Sequence, residues 1–259
     1  MRISLQPAYI LHSRPYRDSS AILEVLTAEH GRLSLVARGA RRRSRGGSSS
    51  ALLQPFIPLL LSFSGRTELK TLTATEAVGR GFTLRGERLF SGMYVNELLV
   101  RLLHRHDAHP QLFAAYAQTL QALAGSAVVD AVLRAFEFSL LDELGYGFDP
   151  GVDGHSGETV QAHLWYNYHP EHGLVATVGA IDPSRPAYAG SDLIAIAGGE
   201  LGGHVRVTAK RLLRQALAGH LGDAPLKSRD LFRTRGAAPG HETRPEQGRS
   251  SQPETGGEL

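Results

Sequence analysis

Five arginines fall within eight residues at Arg38, Arg41, Arg42, Arg43 and Arg45, and Gly46-Gly47-Ser48-Ser49-Ser50 follows at once. Guanidinium forks grip phosphate oxygens in pairs and stack on bases, so such a cluster suits contact with a nucleic-acid backbone without sequence readout. A solvated charge run, or a site for RNA or an acidic protein, is the competing reading. Arg14, Arg17, Arg66 and Lys70 are further cations assigned to the same groove, each weak evidence alone because a lone surface arginine is ordinary soluble surface. Tyr9, Tyr16, Phe56 and Phe63 could stack on bases, although Phe63 lies in an apolar strand and reads as core.

Bond-making chemistry has no comparable signature. The chain holds no GxxxxGK[ST], no GxGxxG after a strand, no GxSxG and no HExxH, so an enzyme is not expected. Asp142 and Glu143 adjoin on a helix end, where successive side chains point to different faces. His155, His163, His169 and His172 share a glycine-rich segment, and His169-Pro170-Glu171-His172 has ligand-like spacing. Sites made of histidine and carboxylate alone need well-ordered supporting groups, which this loop-rich stretch does not offer, so no metal or other cofactor is expected. The absence of cysteine removes disulfides and thiolate metal sites together.

Charge is divided unevenly along the chain. Residues 1–80 hold 12 Lys+Arg against 5 Asp+Glu, a balance of +7 within a net charge of +3, which leaves −4 for the remainder. A basic surface attracts polyanions and gains counterion-release entropy when it meets phosphates. The asymmetry places a polyanion partner at the N-terminal third without saying which polyanion.

These residues need elements to position them. With 259 residues, 42% of them hydrophobic, the chain is long enough for one large domain or two modest ones with real cores. The first twenty residues lack an apolar stretch behind a basic cap, and no run of about 18 apolar residues occurs. A cytoplasmic location without membrane contact is the expectation. Residues 21–27, 32–37, 59–63 and 69–73 read as short strands, with turns at Glu29-His30-Gly31 and Ser64-Gly65-Arg66. About five short strands suggest a small, nearly closed barrel of the OB type over residues 1–80, which leaves one face and its loops to hold an oligonucleotide.

From Ser91 the period changes to about 3.6. Val95, Leu98, Leu99, Leu102 and Leu103 form one stripe behind a Ser91 cap, and a second helix begins after Pro110. A third carries Val129, Leu133, Phe136, Leu140 and Leu144 before Gly145, and a fourth runs from about Thr208 to Leu221. Residues 164–168 and 174–178 could pair as a hairpin in the irregular stretch between, and Gly198–Gly203 reads as a turn. The expected class is α+β: an N-terminal OB-fold β-barrel followed by a mainly α-helical domain over residues 85–235. Residues 236–259 have almost no large apolar side chain and should be disordered. Arg134, with Lys210, Arg211 and Arg214, could rim an apolar groove suited to a peptide ending in acidic residues and an aromatic. Ordinary amphipathic helices with soluble outer faces explain the same pattern equally well.

The order of features resembles the RecO recombination and repair proteins. The resembling segments are Ala8–Tyr16, Gly31–Arg41, Leu53–Leu59, Gly65–Thr71, Tyr94–Leu98, Arg134–Leu141 with Leu144-Gly145-Tyr146, and Pro225–Phe232. The resemblance implies a cytoplasmic, nucleoid-associated mediator that binds single- and double-stranded DNA and anneals complementary strands. It further implies docking on the C-terminal tail of single-strand-binding protein through the helical domain, and work with RecR to load RecA onto gaps. That tail fits the otherwise undecided groove of Arg134, Lys210, Arg211 and Arg214. Many relatives carry a four-cysteine zinc module after the Leu-Gly-Tyr element. With no cysteine, residues from about 149 to 180 resemble a metal-free remnant of it, which implies the zinc-free branch. An RNA-binding barrel and a metal-dependent hydrolase built on the histidines are the alternatives left open.

Overall fold

Short segments rich in apolar and β-branched residues make five strands in the first third of the chain: β1 (Arg2–Tyr16), β2 (Ser20–Thr27), β3 (Gly31–Ala37), β4 (Leu59–Ser64) and β5 (Leu69–Ala77). In the computed structural model, which describes residues 2–40, 51–177, 179, 182 and 184–233, they close into a barrel of order β1-β2-β3-β5-β4. β3 pairs with β5 in parallel and the other ladders are antiparallel. Ile10, Leu23, Val25, Leu33, Leu35, Leu59, Leu61 and Phe63 fill the interior. The barrel is therefore the OB-like one expected, and Phe63 belongs to its core.

β1 is the strand that the alternation does not reveal. Its register shifts between Ile3 and Gln6 against β4 and between Ile10 and His12 against β2, so its apolar positions lose their period of two. The extra length lets one strand pair on both sides and close the barrel.

Helices follow: α1 (Glu87–Leu102), α2 (Pro110–Ala124), α3 (Val129–Glu143), α4 (Gly190–Ala197), α5 (Arg206–Leu221) and α6 (Ser228–Arg233). Ser91 does not cap α1. It lies one turn inside, and its Oγ donates to Glu87 O at 2.8 Å, while Gly86 takes the capping position. Pro110 opens α2, where its missing N–H leaves no orphan donor. Between α3 and α5 a small antiparallel sheet is built from β6 (Trp165–His169), β7 (Gly173–Ala176) and β8 (Ala187–Ala189), in the order β7-β6-β8. The hairpin was expected; β8 and α4 were not, because neither is long enough to show a period.

One apolar core runs through the helices and takes in Tyr9, Leu11, Leu26 and Phe56 from the outside of the barrel. Tyr9 packs at 5.4 Å from Phe113 and 5.1 Å from Tyr116 between ring centres. Tyr9 and Phe56, both buried, are thus packing residues and not stacking platforms for bases.

A polar seam crosses the same boundary. Asn96 Nδ2 donates to Leu11 O at 2.9 Å, and Tyr116 Oη donates to Asn96 Oδ1 at 2.7 Å. Arg32 Nε donates to Leu103 O at 3.1 Å, and His106 N donates back to Arg32 O at 3.0 Å. Glu24 sits beneath, accepting from Arg32 Nη1, Ser34 Oγ and Arg105 Nη2 at 2.8, 2.6 and 3.4 Å. Gly31, at φ 61°, turns the chain where a Cβ would lie 1.8 Å from Asp107 O, so only glycine lets the barrel approach the helices this closely.

Asn96→Ala leaves Leu11 O and Tyr116 Oη buried without partners. The expected loss is roughly 2–4 kcal/mol, seen as a lower urea midpoint with little change in slope.

Candidate nucleic-acid interface and a cationic groove

The turn between β1 and β2 carries Arg17 at φ 51°, a backbone conformation that side chains other than glycine seldom hold. It sets the guanidinium 5.1 Å from the ring centre of Tyr16. Arg38 follows β3 directly, and both arginines open onto one cleft of about 540 Å³ with Tyr16, Ser19, Ser20, Val36, Gly39 and Thr71. Cations, hydroxyls and one aromatic ring are the groups that a phosphate backbone and an unstacked base require.

Arg14 on β1 and Arg66 in the β4–β5 turn are exposed but do not line this cleft. Arg14, Arg17, Arg38 and Arg66 form no ion pair among the described residues. Lys70 is placed differently: it is 8% exposed, and its Nζ donates to Thr67 O at 3.2 Å inside the β4–β5 turn. Arg41, Arg42, Arg43 and Arg45 lie outside the described residues. Of the four aromatics singled out, Tyr16 alone reaches the cleft.

The second site belongs to the helices. Arg206, Lys210 and Arg214 are four residues apart, so they share one face of α5. That face looks across a groove of about 480 Å³ toward α1 and α3, with α6 closing one end. Val129, Leu133 and Phe232 give it apolar surface, Arg229 adds a cation from α6, and Arg134 lines it from α3. Asp130 is the acid that opposes the rim, 3.1 Å from Arg206 and 3.9 Å from Lys210. A groove of this kind can seat an apolar side chain while its rim meets carboxylates.

Three of the four predicted residues, Arg134, Lys210 and Arg214, therefore converge. Arg211 points round the helix, 5.3 Å over the Tyr188 ring and donating to Ala187 O at 3.2 Å, and it lines a smaller adjoining pocket of about 210 Å³. Sequence reasoning missed Arg206, Arg229 and Phe232. Arg206 was signalled by its four-residue spacing from Lys210; α6 is too short to display a pattern.

Arg134 is 5% exposed and pairs with Glu137, itself 1% exposed, through a contact of 2.7 Å. Tyr94 Oη donates to the same Glu137 oxygen at 2.6 Å. Burial raises the Glu137 carboxyl above its ordinary range against the pull of Arg134, and burial with the Glu137 charge pushes the Tyr94 phenol up.

α6 is held by Glu97 of α1. Its carboxylate accepts from Lys227 N at 2.8 Å, Ser228 N at 2.8 Å and Ser228 Oγ at 2.6 Å. Burial acts to raise Glu97, but the Ser228 and Lys227 donors, with Arg101 nearby, outweigh it and hold the carboxyl below its ordinary range. Phe232 packs edge-on against Phe90 with ring centres 5.7 Å apart.

The histidine-rich segment carries a different device. Asp153 accepts from His155 N, Ser156 N and Ala176 N at 2.9, 3.1 and 2.9 Å, which ties the loop to β7. Among the described residues no three His, Asp or Glu side chains converge as metal ligands, and no helix is long and apolar enough to cross a membrane.

Comparison with known proteins gives a consistent result over both parts of the chain. Residues 1–80 match the family model for the recombination protein O N terminal part, and residues 84–230 match that for the C terminal part. The DNA repair protein RecO of Stutzerimonas stutzeri is 46% identical over 229 residues, covering 88% of this chain and 92% of its own. The protein of the same name from Methylococcus capsulatus is 43% identical over 234 residues, with 90% and 94% covered. That from Nitrosococcus oceani is 47% identical over 233 residues, again with 90% and 94% covered.

Because the Glu97 carboxyl is depressed in the folded state, its contribution is present above the ordinary carboxylate range and lost as pH falls through the depressed value. Amide exchange of residues 228–232, corrected for intrinsic rates, should accelerate on acidification below about pH 4. In Glu97→Ala it should be fast at neutral pH as well.

Proposed function

The chain belongs to the RecO family, and from that footing we propose that it is a DNA repair and recombination mediator that makes and breaks no covalent bonds. The barrel, residues 1–80, binds single- and double-stranded DNA through phosphate contacts from Arg17 and Arg38 in the cleft and from Arg14, Arg66, Arg41, Arg42, Arg43 and Arg45. Lys70 contributes through the β4–β5 turn it stabilises. The helical part, residues 85–235, takes the acidic-aromatic tail of single-strand-binding protein into the groove of Arg134, Lys210 and Arg214, with Arg211 on the adjoining shelf. With RecR it helps RecA onto coated gaps, working in the cytoplasm at the nucleoid.

The observation that carries this reading is the existence of two separate cationic sites of different chemistry. The barrel cleft is polar with one aromatic, which suits nucleic-acid backbone. The groove combines cations with Val129, Leu133 and Phe232, which suits a peptide whose last side chain is apolar.

Annealing follows from charge alone. Two strands repel through their phosphates, and a basic surface that neutralises both lowers the barrier to nucleating base pairs. Holding the protein on a coated strand through the groove raises the effective concentration of the barrel at the DNA.

The test is strand annealing with and without single-strand-binding protein, on variants of each site. Charge reversal of Arg17 and Arg38, or of Arg41, Arg42 and Arg43, should weaken oligonucleotide binding and flatten its log–log salt slope by about 0.7 per lost contact on single strands. Lys210→Glu should lower affinity for an acidic peptide ending in phenylalanine and slow annealing of coated strands, while naked strands anneal at the wild-type rate. An unchanged salt slope refutes the barrel assignment, and unchanged peptide affinity refutes the groove.

A further inference from the structure

The groove contains a buried ion pair that is half made. Glu137 and Arg134 stand three residues apart on α3, joined by one contact from Arg134 Nη2 to Glu137 Oε1. Arg134 Nε and Glu137 Oε2 are buried as well, and they are the two buried side-chain polar atoms without a hydrogen-bond partner among the described residues. A fully engaged guanidinium–carboxylate pair is bidentate and uses two nitrogens and two oxygens. Here the second nitrogen and the second oxygen are left over, in a groove lined by both charged and apolar side chains.

The charged groups that line the groove with Glu137 come from four helices. α1 presents Tyr94 and Glu87, and α3 presents Arg134 and Asp130. α5 presents Arg206, Lys210 and Arg214, and α6 presents Arg229. The cations outnumber the acids, yet burial dominates and the carboxyl stays raised. A further negative charge brought into the groove displaces water and adds Coulomb repulsion, and both effects favour the protonated acid.

On the reading of the groove as a docking site for an acidic peptide, we propose that Glu137 sets its affinity: it occupies Arg134 when the groove is empty and takes up one proton from solvent as the peptide enters. No covalent bond in the peptide or the protein backbone changes. The proton leaves water or buffer and adds to a Glu137 carboxylate oxygen, and the charge of Arg134, no longer matched within the protein, is matched by a peptide carboxylate. Glu137 is thus an internal competitor of the ligand, and the groove binds more tightly as pH falls, over the range where exposed peptide carboxylates stay ionised, above about pH 5. Tyr94 tunes the midpoint, because its hydroxyl hydrogen bond favours the ionised form of Glu137.

The test is calorimetric titration of the full chain with an aspartate-rich peptide ending in phenylalanine, at pH 6 and pH 7.5, in buffers of different ionisation enthalpy. The wild type should take up a proton, approaching one per peptide, and bind about three- to tenfold more tightly at the lower pH. Glu137→Gln should bind more tightly than wild type at pH 7.5, with the proton uptake and the pH slope both lost. Tyr94→Phe should keep the uptake and move the pH profile upward. If Glu137→Gln fails to fold by circular dichroism, the wild-type proton count and the Tyr94→Phe shift decide. Peptide binding with no proton uptake, or with the same uptake in Glu137→Gln, overturns the role of Glu137 and leaves the groove standing. Absence of peptide binding to the wild type at either pH overturns both.

Discussion

Everything in this molecule is arranged about a wall shared by the barrel and the helices, in which buried polar groups must find partners across the boundary. Asn96 joins Leu11 of β1 to Tyr116 of α2, while Arg32 and Glu24 of the barrel reach Leu103 and Arg105 after α1. None of these groups could be desolvated alone without a penalty of one or more kcal/mol, roughly. The apolar contacts of Tyr9 with Phe113 and Tyr116 share that wall, so packing and hydrogen bonding fix one docking geometry. The barrel cleft and the helical groove are consequently carried on a common frame.

Charge is sorted by this frame. Arg32 and Arg105 belong to the basic count of the chain yet are neutralised by Glu24 and, for Arg105, Glu68. Arg14, Arg17, Arg38 and Arg66 are exposed and form no ion pair among the described residues, while Asp130 of α3 pairs with Arg206 and Lys210 of α5.

Much of this was legible in the residues. Four strands announced themselves as short apolar runs bounded by turns, and α1, α2, α3 and α5 by a period of about 3.6, because each of these helices buries one face. β1 escaped because its register shifts break the alternation, and β8, α4 and α6 because they are too short to repeat. Site residues were harder. Lys70 and Arg66 look alike in sequence, and only the turn geometry that turns the Lys70 ammonium back onto Thr67 O separates them. Arg211 and Lys210 are neighbours, but 100° of helix rotation sends one toward Tyr188 and the other toward the groove. Glu137 gave no signal at all: its meaning depends on Arg134 and Tyr94 being buried beside it.

The central proposal is that the two cationic sites of this chain bind their separate ligands without competing. Sedimentation of the protein with a labelled oligonucleotide and a labelled acidic peptide tests it most directly. The account predicts a ternary complex in which each ligand binds with nearly the affinity it shows alone at the same salt. Displacement of one ligand by the other in a single-site competition would contradict it.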